Sequence, residues 1–138
     1  MFRRIALDTS LYIDWLNRRS REDLVVGPGY VRYLSAVVLM ELRAGARAGR
    51  PARALDHLAR AYEANRRLLG PTNHVFDDAG AVLFRLARRG LDTRRASLVH
   101  DVLIALTCRA LGLTLYTTNA TDFQAIRGIR DFKLEIVR

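Results

Sequence analysis

The sequence predicts an α/β fold of three layers, with helices on both faces of a central, mainly parallel sheet of about five strands. Three observations carry this prediction. Short apolar runs with strand character, such as Ile5-Ala6-Leu7 and Leu113-Thr114-Leu115-Tyr116-Thr117, alternate with longer stretches of helical periodicity, and that alternation implies a parallel sheet buried on both faces. Helix caps and chain breakers punctuate the alternation at regular intervals. A length of 138 residues with 50% hydrophobic composition suits one domain, spanning 1–138, whose core needs no staples.

Taken in order, Phe2 to Asp8 reads as a short buried strand. Thr9 and Ser10 are suitable N-caps for a helix over Leu11 to Arg19. Ser20 to Tyr30 reads as loop, with Gly27-Pro28-Gly29 as a turn signal, and Val31 to Leu34 as a second strand. Ser35 caps a helix to about Ala48 that carries Glu41 in its middle. Pro51 suits the first turn of the next helix, which is expected to run to Leu69 and stop at Gly70-Pro71. Leu55, Leu58, Tyr62 and Leu69 share one face of it; Arg53, Arg60 and Arg67 recur on the other. Those arginines are either a solvated face or a phosphate-facing stripe, and the solvated face is the commoner pattern. His74 to Phe76 is expected to form a short strand, and Asp77-Asp78 to open a helix that ends at Arg89 with Gly90 beyond it. Leu91 to Val99, with Arg94 and Arg95, reads as loop or a fraying helix start. Asp101 is expected to begin an apolar helix closed by Gly112. Leu113 to Thr117 is a buried strand, Asp122 to Ile126 a short helical turn, and Phe132 to Val137 a last strand.

The composition excludes several classes. No apolar stretch approaches the ~20 residues of a membrane span, and the N-terminus has no signal-peptide pattern, so a cytoplasmic location is expected. The single cysteine, Cys108, rules out an internal disulfide framework or a multi-cysteine zinc site. Its apolar helical setting suits a small buried residue. The net charge is +9, and Lys133 is the only lysine. An arginine-rich balance attracts polyanions, although a GC-rich genome or an acidic protein partner would account for it as well.

Four acidic residues stand out against this basic background. Asp8 ends the first apolar run, Glu41 follows Val37-Val38-Leu39-Met40, Asp101 opens Val102-Leu103-Ile104-Ala105-Leu106, and Asp122 follows the strand at Leu113 to Thr117. Apolar surroundings offer a carboxylate few partners. In a parallel sheet, strand ends and helix starts meet on one rim, where ligands bind, so these four acids can converge. Gathered carboxylates repel one another unless a cation joins them. Magnesium or manganese, hard ions that prefer oxygen ligands, would resolve the repulsion. An acidic pocket in a basic surface fits phosphodiester hydrolysis.

Each acid also has a plainer reading. Asp8 and Asp101 could be helix caps, Glu41 could pair with Arg43 or Arg47, and Asp122 could cap its own short helix. Asp14 has Arg18 four residues on and reads as a solvated pair. Asp77 and Asp78 read as first-turn acids facing a helix dipole. His57 reads as solvated. His100 could be a general base, but metal-activated water needs none. Tyr12 and Trp15 read as core or dimer contact rather than base-stacking residues.

Four segments resemble those of a known family. Leu7-Asp8-Thr9-Ser10-Leu11-Tyr12-Ile13-Asp14, Ser35 to Gly45 around Glu41, His100-Asp101-Val102-Leu103-Ile104-Ala105, and Leu113 to Phe123 ending in Asn119-Ala120-Thr121-Asp122-Phe123 resemble, in order, the motifs of PIN-domain ribonucleases. The size matches VapC-type toxins of bacterial toxin–antitoxin pairs. The resemblance covers nearly the whole chain. It implies a PIN-like five-stranded sheet, a Mg2+- or Mn2+-dependent endoribonuclease, an RNA substrate, a cognate antitoxin and a homodimer. Tyr12, Trp15 and Leu16, apolar on the first helix, are the expected dimer contacts. The resemblance further implies that Asp8 and Asp101 are the main metal ligands, with Glu41 and Asp122 acting through water or on a second ion. Thr9 and Ser10 match polar residues that orient the first aspartate, and Asn119 a polar position of the fourth motif. Thr118 stands where an arginine is frequent, and His100 directly precedes the third acid. Arg53, Arg60, Arg67, Arg94 and Arg95 are the candidate phosphate contacts. The alternative to the nuclease is a non-catalytic RNA-binding module of the same fold.

Overall fold

The computed structural model describes residues 2–138. In chain order its elements are β1 (Arg3–Leu7), α1 (Thr9–Arg18), α2 (Glu22–Val25), β2 (Tyr30–Ser35), α3 (Ala36–Gly45), α4 (Gly49–Ala64), β3 (Leu68–Leu69), α5 (Asn73–Arg88), α6 (Ala96–Leu111), β4 (Thr114–Thr117), α7 (Ala120–Arg127) and β5 (Leu134–Ile136). The strands form one sheet in the order β3-β2-β1-β4-β5, and every pairing is parallel. The expected five-stranded parallel α/β architecture is therefore what the chain adopts.

The most apolar strand lies at the centre. Ile5, Ala6 and Leu7 of β1 are buried, as are Leu34 of β2 and Leu115 of β4 on either side. Complete burial of each leucine contributes about 1.5–3 kcal/mol. Helices α5, α6 and α7 pack together, and α1 packs with α2, α3 and α4. α6 is buried almost all round, from Asp101 to Cys108. Cys108 is a core residue, as expected, and burial pushes its thiol up to about 12. No described helix is long and apolar enough to cross a membrane.

The chain leaves β1 toward β2 and β3 on one side, then returns to place β4 and β5 on the other. The order reverses between β1 and β4. The crevice beyond the strand ends at such a point is where open α/β sheets bind ligands. Asp8 directly follows β1 there, and its N–H donates to the Tyr116 carbonyl of β4 at 2.9 Å.

Local chemistry explains most boundaries. The Ser35 hydroxyl accepts from the N–H groups of Val37 (3.1 Å) and Val38 (3.5 Å), capping α3 as expected. Ser35→Ala should lower stability by about 1 kcal/mol, the usual worth of such a cap; a thermal or urea midpoint equal to the parent's would count against it. α5 ends as expected: Gly90 takes φ +92°, and Leu91 N–H donates back to the Leu86 carbonyl, a closure that a left-handed residue makes available.

Six expectations are corrected. Thr9 and Ser10 do not cap α1. They form its first turn, because Asp8 already holds the extended backbone of the cap position. Within the expected loop, Glu22–Val25 forms α2. α3 stops at Gly45 rather than near Ala48. α4 ends at Ala64, not Leu69. Arg66 turns left-handed, and Leu68 and Leu69 instead pair with Leu34 and Ser35 as β3. His74 to Phe76 is not a strand but the first turn of α5, capped by the Thr72 hydroxyl on Val75 N–H at 3.1 Å. Its buried face, Val75, Ala79, Val82 and Leu86, has helical spacing. Asp77 and Asp78 therefore lie in its second turn, and Asp78 pairs with Arg130 at 2.6 Å. Finally, α6 begins at Ala96, so Asp101 lies in its second turn and is not its first residue.

Candidate active site

The carboxyl edge of the sheet brings all four predicted acids together. Asp8 is held by hydroxyls: Thr117 donates to its Oδ2 at 2.8 Å and Ser10 at 3.2 Å. Thr117 is fully buried at the end of β4, and its hydroxyl also accepts from Asn119 N–H at 2.9 Å. The Asn119 amide in turn donates to Asp101 Oδ2 at 3.4 Å. Glu41 accepts from the Thr9 hydroxyl at 2.5 Å and meets His100 Nδ1 at 3.2 Å. Asp122 receives both Nη atoms of Arg95, at 3.0 and 3.2 Å. Ser10 contacts the first aspartate, the residue it was expected to orient, whereas Thr9 bonds Glu41 instead of Asp8, and Asn119 reaches Asp101.

None of the plainer readings describes these contacts. Asp8 occupies a cap backbone position but makes no side-chain cap bond. Glu41 pairs with neither Arg43 nor Arg47; Arg43 bonds Asp56 instead. Asp101 is too far into α6 to be a cap.

Electrostatics show that the group is crowded. Burial pushes the Asp101 carboxyl up to about 8, reinforced by the charges of Asp8, Asp122 and Glu41 and opposed by Arg95. Asp8 is also raised, first by burial and last by Glu41, against the hydroxyls that bond it. Asp122 goes the other way. The Arg95 guanidinium that bonds it holds it below the ordinary carboxylate range, against a smaller opposing push from burial.

This donor set suits a hard divalent cation. It is made of carboxylate oxygens, two of them on residues about nine-tenths buried, Asp8 and Asp101. Among the described residues no three His, Cys, Asp or Glu side chains already stand together at ligating distance. Magnesium typically takes one or two direct carboxylates and keeps several waters.

The arginines are less uniform than expected. Arg53 and Arg60 are exposed on α4. Arg67 lies beyond its end and lines a cavity of about 230 Å3 with Arg32, Tyr30 and Tyr62, so the three form no stripe. Arg94 pairs with Asp92 at 3.2 Å. Tyr12 and Trp15, read as core or dimer contact, are buried core residues, because α1 packs on α2, α3 and α4. Asp14 and Arg18 form no ion pair among the described residues.

Besides Thr9 on Glu41, three contacts escaped the sequence reading: Thr117 on Asp8, His100 on Glu41 and Arg95 on Asp122. Thr117 was recognisable as a polar residue ending an apolar strand. The other two join residues 59 and 27 positions apart, and no local pattern signals them.

A family model for the PIN domain matches residues 5–129, which include all four acids. Comparison with curated proteins gives no match. Among solved structures, the fold is similar to that of a DNA-bound VapBC from Salmonella typhimurium, with a TM-score of 0.69 and 21% identity, covering 99% of this chain and 98% of that one. It is also similar to VapBC2 from Rickettsia felis bound to a promoter DNA fragment (TM-score 0.72, 19% identity, 98% and 99% covered). A third is VapBC-1 from nontypeable Haemophilus influenzae (0.69, 22%, 96% and 97%). With the parallel sheet and the acids gathered at its carboxyl edge, the match over residues 5–129 establishes that this chain belongs to the PIN domain family.

Proposed function

We propose that this protein is a metal-dependent endoribonuclease and the toxin of a toxin–antitoxin pair. The observation that carries the reading is the convergence of Asp8, Glu41 and Asp101 with Asp122 on one rim of a PIN domain. The toxin assignment is supported by the likeness to VapBC structures over almost the full length of both chains.

Asp8 and Asp101 would hold the cation directly, with Glu41 acting through water. A bound Mg2+ or Mn2+ supplies a Lewis acid for the phosphoryl oxygens and lowers the pKa of water. The chain's own groups prepare the site. Thr117 and Ser10 fix the Asp8 carboxylate, Asn119 orients Asp101, and Thr9 with His100 holds Glu41 in place. Exposed arginines such as Arg53 and Arg60 would gather the polyanion.

An antitoxin would find two complementary features. An apolar groove of about 250 Å3, lined by Ile13, Leu16, Leu42 and Pro51, opens beside Glu41 and suits apolar side chains. The carboxylates next to it suit a partner's arginine, the natural mimic of the cation. A homodimer belongs to the same reading. With Tyr12 and Trp15 buried, it would use residues that remain exposed, among them Phe76 and Phe84 of α5.

The test is incubation of the purified chain with mixed RNA, with added Mg2+ or Mn2+ and with a chelator. Cleavage that needs the metal is expected, from a protein that light scattering shows as a dimer at tens of micromolar. RNA that is bound in a salt-sensitive way but left intact under every condition would overturn the nuclease and favour the RNA-binding module. Monomer alone would remove the dimer.

A further inference from the structure

Asp122 differs from the other three acids in what holds it. Arg95 Nη1 donates to its Oδ2 at 3.0 Å and Nη2 to its Oδ1 at 3.2 Å. Nη1 also bonds the Ser97 hydroxyl at 3.1 Å. Among the described residues, Asp8, Glu41 and Asp101 hydrogen-bond hydroxyls, an amide and an imidazole, and no arginine. Arg95 sits at the cap position of α6, the helix that carries His100 and Asp101. The Asp122 side chain is 14% exposed and that of Arg95 42%, so the carboxylate is the inner anchor and the guanidinium the outer group.

We propose that Asp122 is a positioning residue in this chain: it anchors Arg95 at the mouth of the acidic pocket and leaves a single cation to Asp8, Glu41 and Asp101. This rests on the nuclease reading above. A two-point arginine–carboxylate fork is the strong form of ion pair, and the pair as a whole is neutral. A dication approaching Asp122 meets the guanidinium at the same time, and the repulsion cancels most of the attraction. One magnesium-type ion needs only one or two direct carboxylates plus water, which the remaining three acids supply. A second ion would have to break the fork. The fork also keeps a partly exposed guanidinium beside the site, a group suited to phosphate.

The test is a titration of the purified chain with Mn2+ alone, without RNA, reading free Mn2+ by electron paramagnetic resonance. The proteins are the parent, D122N and R95Q/D122N. The parent should bind one ion. The double variant should bind one ion with a Kd within about threefold of the parent's, because the pair it removes is neutral. D122N alone should bind more weakly than the double variant, because its guanidinium is left unbalanced beside the site. A parent that binds two ions overturns the proposal. So does a double variant weakened by more than threefold, or to the same extent as D122N, since Asp122 would then be contributing to the ion itself. In each of those cases the nuclease reading stands. A parent that takes up no Mn2+ removes the metal reading and this inference with it.

Discussion

Asp8→Asn and Asp101→Asn are each expected to reduce RNA cleavage by roughly two orders of magnitude or more, a loss of about 3 kcal/mol in transition-state stabilisation. Both substitutions keep side-chain size and remove one negative charge from the pair that would hold the cation. Metal affinity falls with activity. Stability does not, because these carboxylates are costly to the metal-free fold. Asp101 is buried beside three other acids, and Asp8 is buried with only hydroxyl and backbone partners. A neutral amide relieves both burial and repulsion. The metal-free variants therefore melt no lower than the metal-free parent. The measurement is paired: melting temperature in a chelator, and cleavage rate with Mg2+ or Mn2+. Variants that cut RNA at the parent's rate would remove the metal-site reading, whatever their stability.

The second large expected effect is on the pH dependence of the metal-free protein, which should grow less stable as pH rises from about 4 to about 8. In the unfolded chain Asp101 loses its proton near 3.8; in the folded chain it keeps it to about 8. Between those values the folded state binds more protons than the unfolded state, so raising the pH favours unfolding. The stabilisation is complete below the unfolded value and is lost as pH rises through the folded one. Each unit inside the window costs up to about 1.4 kcal/mol, giving a loss on the order of a few kcal/mol across it. Asp8, also raised, adds in the same direction. Asp122, lowered by Arg95, acts in the opposite sense, but only at pH below the ordinary carboxylate range. Thermal unfolding in a chelator at pH 5, 6, 7 and 8 checks this. Asp101→Asn should flatten the profile. A parent whose midpoint holds or rises over that range would show that Asp101 is ionised in the folded protein.

The two expected effects share a cause. A site that collects carboxylates for a cation is strained without it, so on this reading the residues that matter most for cleavage should be those whose removal the fold tolerates best. A purely structural cluster would behave the other way: Ser35, which bonds two backbone N–H groups, has a stability cost and no comparable electrostatic relief.

Much of the architecture was legible because burial leaves periodic marks. A strand covered on both faces must be apolar throughout, so β1 and β4 stand out as runs. Ser35, Gly90 and Gly112 mark helix ends because capping and left-handed backbone favour particular residues. Where the signal was short, tertiary context decided. Leu68 and Leu69 continue a helical pattern, yet become β3 because Arg66 turns the chain and the free edge of β2 accepts them. His74 to Phe76 looks extended in isolation but is the first turn of α5, since Thr72 caps it and its apolar spacing continues to Leu86.

The sequence by itself determined the parallel α/β class, the four candidate acids, and Ser10 and Asn119 as polar neighbours of two of them. These follow from residue types at the ends of apolar segments, where a parallel sheet exposes its ligand-binding rim. Only the tertiary structure decided how the acids are balanced. It put His100 against Glu41, buried Thr117 under Asp8, placed Arg95 across Asp122, and chose the core over a dimer contact for Tyr12 and Trp15. The physical reason is range. Capping and periodicity act within a few residues, whereas a charge answers to whatever is nearest in space, and that is set only when the sheet and its helices close around it.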